Sequence, residues 1–115
     1  MNKSKVANII TETIDTRIPQ EVSQLVKANC IVVVNNLSDW TLSPSKHNAK
    51  GKELLGIFGF EEGKPVIGLN HKALRTKAEV IRTTMHEIAH FYRHHLGLSD
   101  GERATNKLVK QWMEE

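Results

Sequence analysis

Thr76-Lys77-Ala78-Glu79-Val80-Ile81-Arg82-Thr83-Thr84-Met85-His86-Glu87-Ile88-Ala89-His90-Phe91-Tyr92-Arg93-His94-His95-Leu96-Gly97 is the stretch whose reading decides the fold. Thr76 followed three residues later by Glu79 has the form of a capping box, in which the hydroxyl and the carboxylate satisfy backbone N–H groups at a helix start. Gly97 stands where a helix end favours a left-handed residue. The spacing therefore predicts a helix over about Lys77 to Leu96. At about 100° per residue, Val80, Ile81, Thr84, Met85, Ile88, Phe91, Tyr92 and Leu96 share one broad apolar arc, and His86, Glu87, His90 and His94 fall outside it.

Working outward, Val6, Ile9, Ile10 and Ile14 recur at helical spacing. Gln20 to Ala28 repeats it through Val22, Leu25 and Val26, with Pro19 at or near the first helical position. Cys30-Ile31-Val32-Val33-Val34 is a β-branched run ended by Asn35-Asn36, which reads as a buried strand. A polar loop is expected from there to about Lys52. Leu54 to Phe60 and Pro65 to Asn70 flank Glu61-Glu62-Gly63-Lys64 as the two arms of a hairpin. Ser99-Asp100-Gly101-Glu102 forms a second capping box, and Ala104, Leu108, Val109 and Trp112 give the following helix an apolar face. The expected architecture is α+β, with two N-terminal helices, a three-stranded sheet, the histidine-bearing helix and a C-terminal helix.

The chain has 115 residues, 39% hydrophobic and 25% charged, which fits one compact domain over 1–115 and leaves no room for a second. A chain of this size hides under ~70% of its unfolded surface and stands without disulfides, and the single Cys30 has no internal partner. A reducing, cytoplasmic setting is expected. The charge of +3 is spread along the chain rather than gathered into a basic patch, so nucleic acid is not indicated. No apolar stretch approaches the ~18 residues that would span a bilayer, and no continuous apolar leader follows Met1, so neither export nor a membrane partner is expected.

His86-Glu87-Ile88-Ala89-His90 is a His-Glu-x-x-His pattern. On a helix its two imidazoles stand one turn apart on one face, where both can reach a single zinc ion, while Glu87 is held beside the ion as a proton carrier. Such a centre lowers the pKa of bound water and serves peptide hydrolysis. The third ligand expected is Glu102, brought back toward the metal after the turn at Gly97, and its alternative role is capping with Ser99. Asn106, one turn further on, is placed to orient a ligand or to be merely exposed. Asp100 is a weaker candidate for third ligand, because an acid at a helix start also offsets the dipole. His94 lies eight residues, or about 12 Å of axis, beyond His86, too far for all three histidines to share one ion. His95 falls on the apolar arc and reads as a partly buried histidine. His47 in the polar loop and His71 after the last strand are candidates for substrate or oxyanion contacts. Val66-Ile67-Gly68-Leu69-Asn70 is a candidate sheet edge for pairing with an extended peptide, Gly68 permitting close backbone approach.

With these elements in this order, residues 54 to 112 resemble the zincins and, more narrowly, the ImmA/IrrE-type metallopeptidases of bacteria, phages and mobile elements. The resemblance rests on Pro65-Val66-Ile67-Gly68-Leu69-Asn70, then His86-Glu87-Ile88-Ala89-His90, then Glu102-Arg103-Ala104-Thr105-Asn106-Lys107-Leu108. It implies a zinc centre of His86, His90 and Glu102 with Glu87 as catalytic base. It also implies a protein substrate, with helix-turn-helix repressors as a substrate class. The sequence-level expectation is a zinc-dependent endopeptidase. Its rivals are a SprT-like or minimal gluzincin peptidase, a zincin-fold module that binds without hydrolysing, and a mildly basic nucleic-acid binder with incidental histidines.

Overall fold

The computed structural model describes residues 1–35, 43–50, 53–98 and 101–114. Four helices and four strands follow in the order α1 (Lys3–Thr16), α2 (Gln20–Asn29), β1 (Ile31–Asn35), β2 (Ser43–Lys50), β3 (Glu53–Glu61), β4 (Lys64–Asn70), α3 (Lys77–His95) and α4 (Glu102–Glu114). The architecture is a small α+β fold. Both N-terminal helices form as their apolar spacing predicts, α1 capped by the Asn2 side chain accepting from the Lys5 N–H at 2.8 Å.

The three expected strands are present, and a fourth joins them, so the sheet has four strands in the order β1-β4-β3-β2 rather than three. The added strand is β2, Ser43-Pro44-Ser45-Lys46-His47-Asn48-Ala49-Lys50, within the segment expected to be a polar loop. It has no apolar alternation because it is an edge held by the main-chain ladder to β3. Pro44 is tolerated there, and the pairing slips between Pro44 and Lys46 and again between Asn48 and Ala49. At the other edge, β1 pairs in parallel with β4 alone. Ile31 is accordingly 45% exposed, and the strand is half-buried rather than buried as its β-branched run suggests.

β4 lies between β1 and β3, so both sides of its backbone are already paired and it offers no free edge for an added peptide strand. Its near-continuous burial from Val66 to Asn70 follows from that central position. The β3–β4 hairpin turns through Glu62 and Gly63 with φ of 51° and 80°, consecutive positive values of the kind a two-residue primed turn requires. In the register Phe58 faces Ile67 and Gly56 faces Leu69. Directly opposed residues share a face, and on this one Phe58, Ile67 and Leu69 join the core with Val6, Ile10, Val22, Val26, Val80, Met85, Ile88 and Phe91 from the helices and Leu74 from the β4–α3 connection. α3 packs against α1, α4, β3 and β4, which places it under the middle of the sheet.

That position explains a departure from the expected helix pattern. Residues 83 to 91 of α3 are buried without interruption, His86, Glu87 and His90 included, because α4 and the sheet close over the polar face as well. The C-terminal end overhangs instead. Leu96, assigned to the apolar arc, is 52% exposed, and His95, expected partly buried, is exposed with its ring beside Phe91.

Candidate metal centre

α3 starts and stops where its sequence predicts. Thr76 accepts from the Glu79 N–H at 3.1 Å, and the Glu79 carboxylate accepts from the Arg75 N–H at 2.9 Å, one residue before the partner of a standard capping box. At the other end Gly97, φ 72°, terminates the helix. Its N–H bonds the His94 carbonyl and the Leu98 N–H bonds the Arg93 carbonyl, each at 2.9 Å, which is a Schellman closure. Beyond that reversal α4 begins at Glu102 and runs beside α3. Ser99 and Asp100, and with them the second capping box and the alternative acidic ligand, lie outside the described residues.

The two histidines of the motif and Glu102 converge. His86 Nε2 and His90 Nε2 are 3.1 Å apart, His90 Nε2 is 3.1 Å from Glu102 Oε1, and His86 Nε2 is 3.3 Å from Glu102 Oε2. Donors bound at about 2.0–2.1 Å in a tetrahedron stand about 3.3 Å from one another, so this triangle has the dimensions of three ligands on one zinc ion. A carboxylate oxygen of Glu87 and one ring nitrogen of each histidine also lie within 4.8 Å of one another. Glu87 is thus beside the triangle, and Glu102 is within it.

The hydrogen bonds around the triangle bear on which donors it presents. Thr105 Oγ1 donates to the Gly101 carbonyl at 2.9 Å and so has no proton left for His90 Nδ1, 3.3 Å away. It accepts from Nδ1–H. A neutral imidazole protonated at Nδ1 directs a bare lone pair from Nε2, here toward a carboxylate oxygen. An acceptor facing an acceptor is repulsive until a cation lies between them, so the donor set fits a divalent metal. Asn106, one turn after Glu102, hydrogen-bonds the His86 ring. Burial, and then the neighbouring His90, hold the His86 pKa below its ordinary value of 6.5 against the opposing pull of Glu102, which favours the neutral, metal-binding form.

Glu87 is fully buried at the helix–sheet contact. A Cβ added to Gly56 of β3 would come within 3.2 Å of Glu87 Oε2 and 2.6 Å of Thr83 Cγ2, so the bare glycine backbone makes the space in which the carboxylate lies. Neither Thr105 nor Gly56 stood out in the sequence. An i,i+4 relation to Gly101 and a glycine within a strand are weak signals until the packing is known.

The other titratable candidates lie elsewhere. His94 turns toward the sheet, its ring centroid 4.8 Å from that of Phe60 and 6.0 Å from that of Phe58. His71 Nδ1 is 3.0 Å from the main-chain oxygen of Met1, tying the β4–α3 connection to the start of α1. His47 is on β2 opposite Ile57, and its side chain lies outside the described residues. Burial pushes the Cys30 thiol up to about 12, the reverse of what a nucleophilic thiolate needs.

No protein-family model matches this chain, and no curated protein matches it. Among the described residues, no helix is long and apolar enough to cross a membrane.

Proposed function

We propose that the protein is a zinc-dependent endopeptidase of the zincin kind, with His86, His90 and Glu102 as metal ligands and Glu87 as the proton carrier. The observation that carries this reading is the triangle of Nε2, Nε2 and carboxylate oxygens, 3.1 to 3.3 Å on a side, with a second carboxylate beside it. A divalent cation held there supplies Lewis acidity to a scissile carbonyl and acidifies water. Glu87 takes the proton of the attacking water on a carboxylate oxygen and passes it to the leaving amine. Thr105 and Asn106 hold the two imidazoles in orientation. A peptide adding a strand would use one of the outer edges, β1 or β2, since β4 is paired on both sides.

The order of hairpin, His-Glu-x-x-His helix and glutamate-bearing helix supports placing the chain near the ImmA/IrrE-type metallopeptidases. On that reading the substrate is an intracellular protein, with a helix-turn-helix repressor as the class to try first, and the enzyme works in the cytoplasm. Elemental analysis and a cleavage assay on an unstructured protein substrate test it together. Wild type is expected to retain stoichiometric zinc, His86→Ala to lose it, Glu102→Ala to bind it weakly, and Glu87→Gln to keep it while losing cleavage. Full retention by Glu102→Ala removes the third ligand. Zinc binding together with a biological effect unchanged in Glu87→Gln would favour the non-hydrolysing binding module.

A further inference from the structure

α3 and α4 present facing stripes at four-residue intervals, Arg82 and His86 on one and Glu102, Asn106 and Lys110 on the other. Between them lies a cavity of about 350 Å³ whose wall includes all five, with Val109 among its apolar residues. One end of the cavity is therefore bordered by His86 and Glu102 of the candidate metal centre, and the other carries two cations. Arg82 and Lys110 are both exposed, and neither forms an ion pair among the described residues. Among the described residues Glu102 is the only acidic group in this wall, and its oxygens are directed at the two histidines.

We propose that Arg82 and Lys110 recognise a carboxylate of the peptide substrate and so set its specificity. The inference rests on the peptidase reading for the identity of the ligand, and on the cavity and its charges for the preference. Arg82 is one helical turn before His86, about 6 Å along the axis. An extended peptide covers that distance in about two residues at 3.3 Å each. The carboxylate is then either an Asp or Glu side chain about two positions from the scissile bond or the C-terminal carboxylate of a short substrate. Arg supplies a planar fork suited to paired carboxylate oxygens, and Lys adds a flexible point charge on the facing helix.

Three acetylated hexapeptides titrated into zinc-loaded Glu87→Gln protein test this without hydrolysis: five alanines with one internal glutamate and an amidated end, hexa-alanine with a free carboxyl end, and hexa-alanine amide. At least one carboxylate peptide is expected to bind about fivefold tighter than the uncharged one, with the preference shrinking in high salt. The preference should vanish in the Arg82→Gln/Lys110→Gln variant, and Arg82→Glu/Lys110→Glu should favour a lysine-containing peptide instead. Preference for the first peptide alone assigns a side chain, and for the second alone a chain terminus. Equal binding of all three, or a preference surviving in the double variant, overturns the proposal. A preference in protein that neither retains zinc nor cleaves as wild type overturns the peptidase reading and leaves the carboxylate pocket intact.

Discussion

Thr105 accepts a hydrogen bond from His90 Nδ1 at 3.3 Å because its own proton is committed to the Gly101 carbonyl at 2.9 Å. One hydroxyl thereby links the start of α4 to the orientation of an imidazole on α3. Thr105→Val keeps the shape and removes the acceptor, leaving a buried Nδ1–H without this partner. Zinc affinity is expected to fall about 10- to 100-fold, as for other partners of metal-bound histidines. Thr105→Ser should hold close to wild type. Competition with a chromogenic chelator measures both, and an unchanged affinity for Thr105→Val would remove the orienting role.

Gly56 and Thr83 meet where β3 crosses α3. A Cβ at position 56 would stand 2.6 Å from Thr83 Cγ2, and Thr83 is buried with the χ1 stiffness of a β-branched residue. Gly56→Ala is expected to destabilise by about 1–3 kcal/mol in urea unfolding, the cost of overpacking a core. Adding Thr83→Ser deletes Cγ2 and should restore much of that stability. Peptide cleavage should stay impaired in the double variant, because the new methyl still presses on Glu87 at 3.2 to 3.3 Å. Recovery of both together would show that Gly56 acts through stability alone.

The sequence made α3 legible from end to end, because its signals are local. Thr76 and Glu79 cap it, Gly97 closes it, and the i,i+4 spacing of His86 and His90 places both rings on one side. Glu102 was legible as a residue that the turn could return toward the two histidines. β2 was not, since an edge strand held by backbone bonds needs no hydrophobic alternation, and Ser43 to Lys50 has none. Nor was the central place of β4, because strand order depends on the parallel pairing of β1 with β4 across the intervening β2 and β3. The continuous burial of residues 83 to 91 likewise arises from two neighbours closing on one helix, which periodicity within that helix does not encode.

Cys30 follows α2 at its C-terminal cap, and burial raises its thiol to about 12. At pH 8 the thiolate fraction is then small, and reaction with a disulfide reagent such as DTNB should be far slower than for a free thiol of pKa about 8.5. Adding denaturant should bring the rate to that of an unstructured cysteine. Rapid labelling of the native protein would contradict a raised thiol pKa at this half-buried site.

His86 ties stability of the metal-free protein to pH. Burial and the neighbouring His90 lower its folded pKa below the unfolded value of 6.5. Above 6.5 the group is neutral in both states and contributes nothing. As pH falls through 6.5 the unfolded chain takes up the proton first, so the folded state loses stability progressively until the depressed folded pKa is passed. Stability of the chelator-stripped protein, followed by urea unfolding, should therefore decline on acidification below about 6.5, with a flatter profile in His86→Gln. Zinc adds to the same slope, because each histidine must be deprotonated to bind it. The zinc-loaded protein should lose stability more steeply than the stripped one over the same range. A stripped protein whose stability is level from pH 7 to pH 5 would show that His86 titrates alike in the folded and unfolded chains.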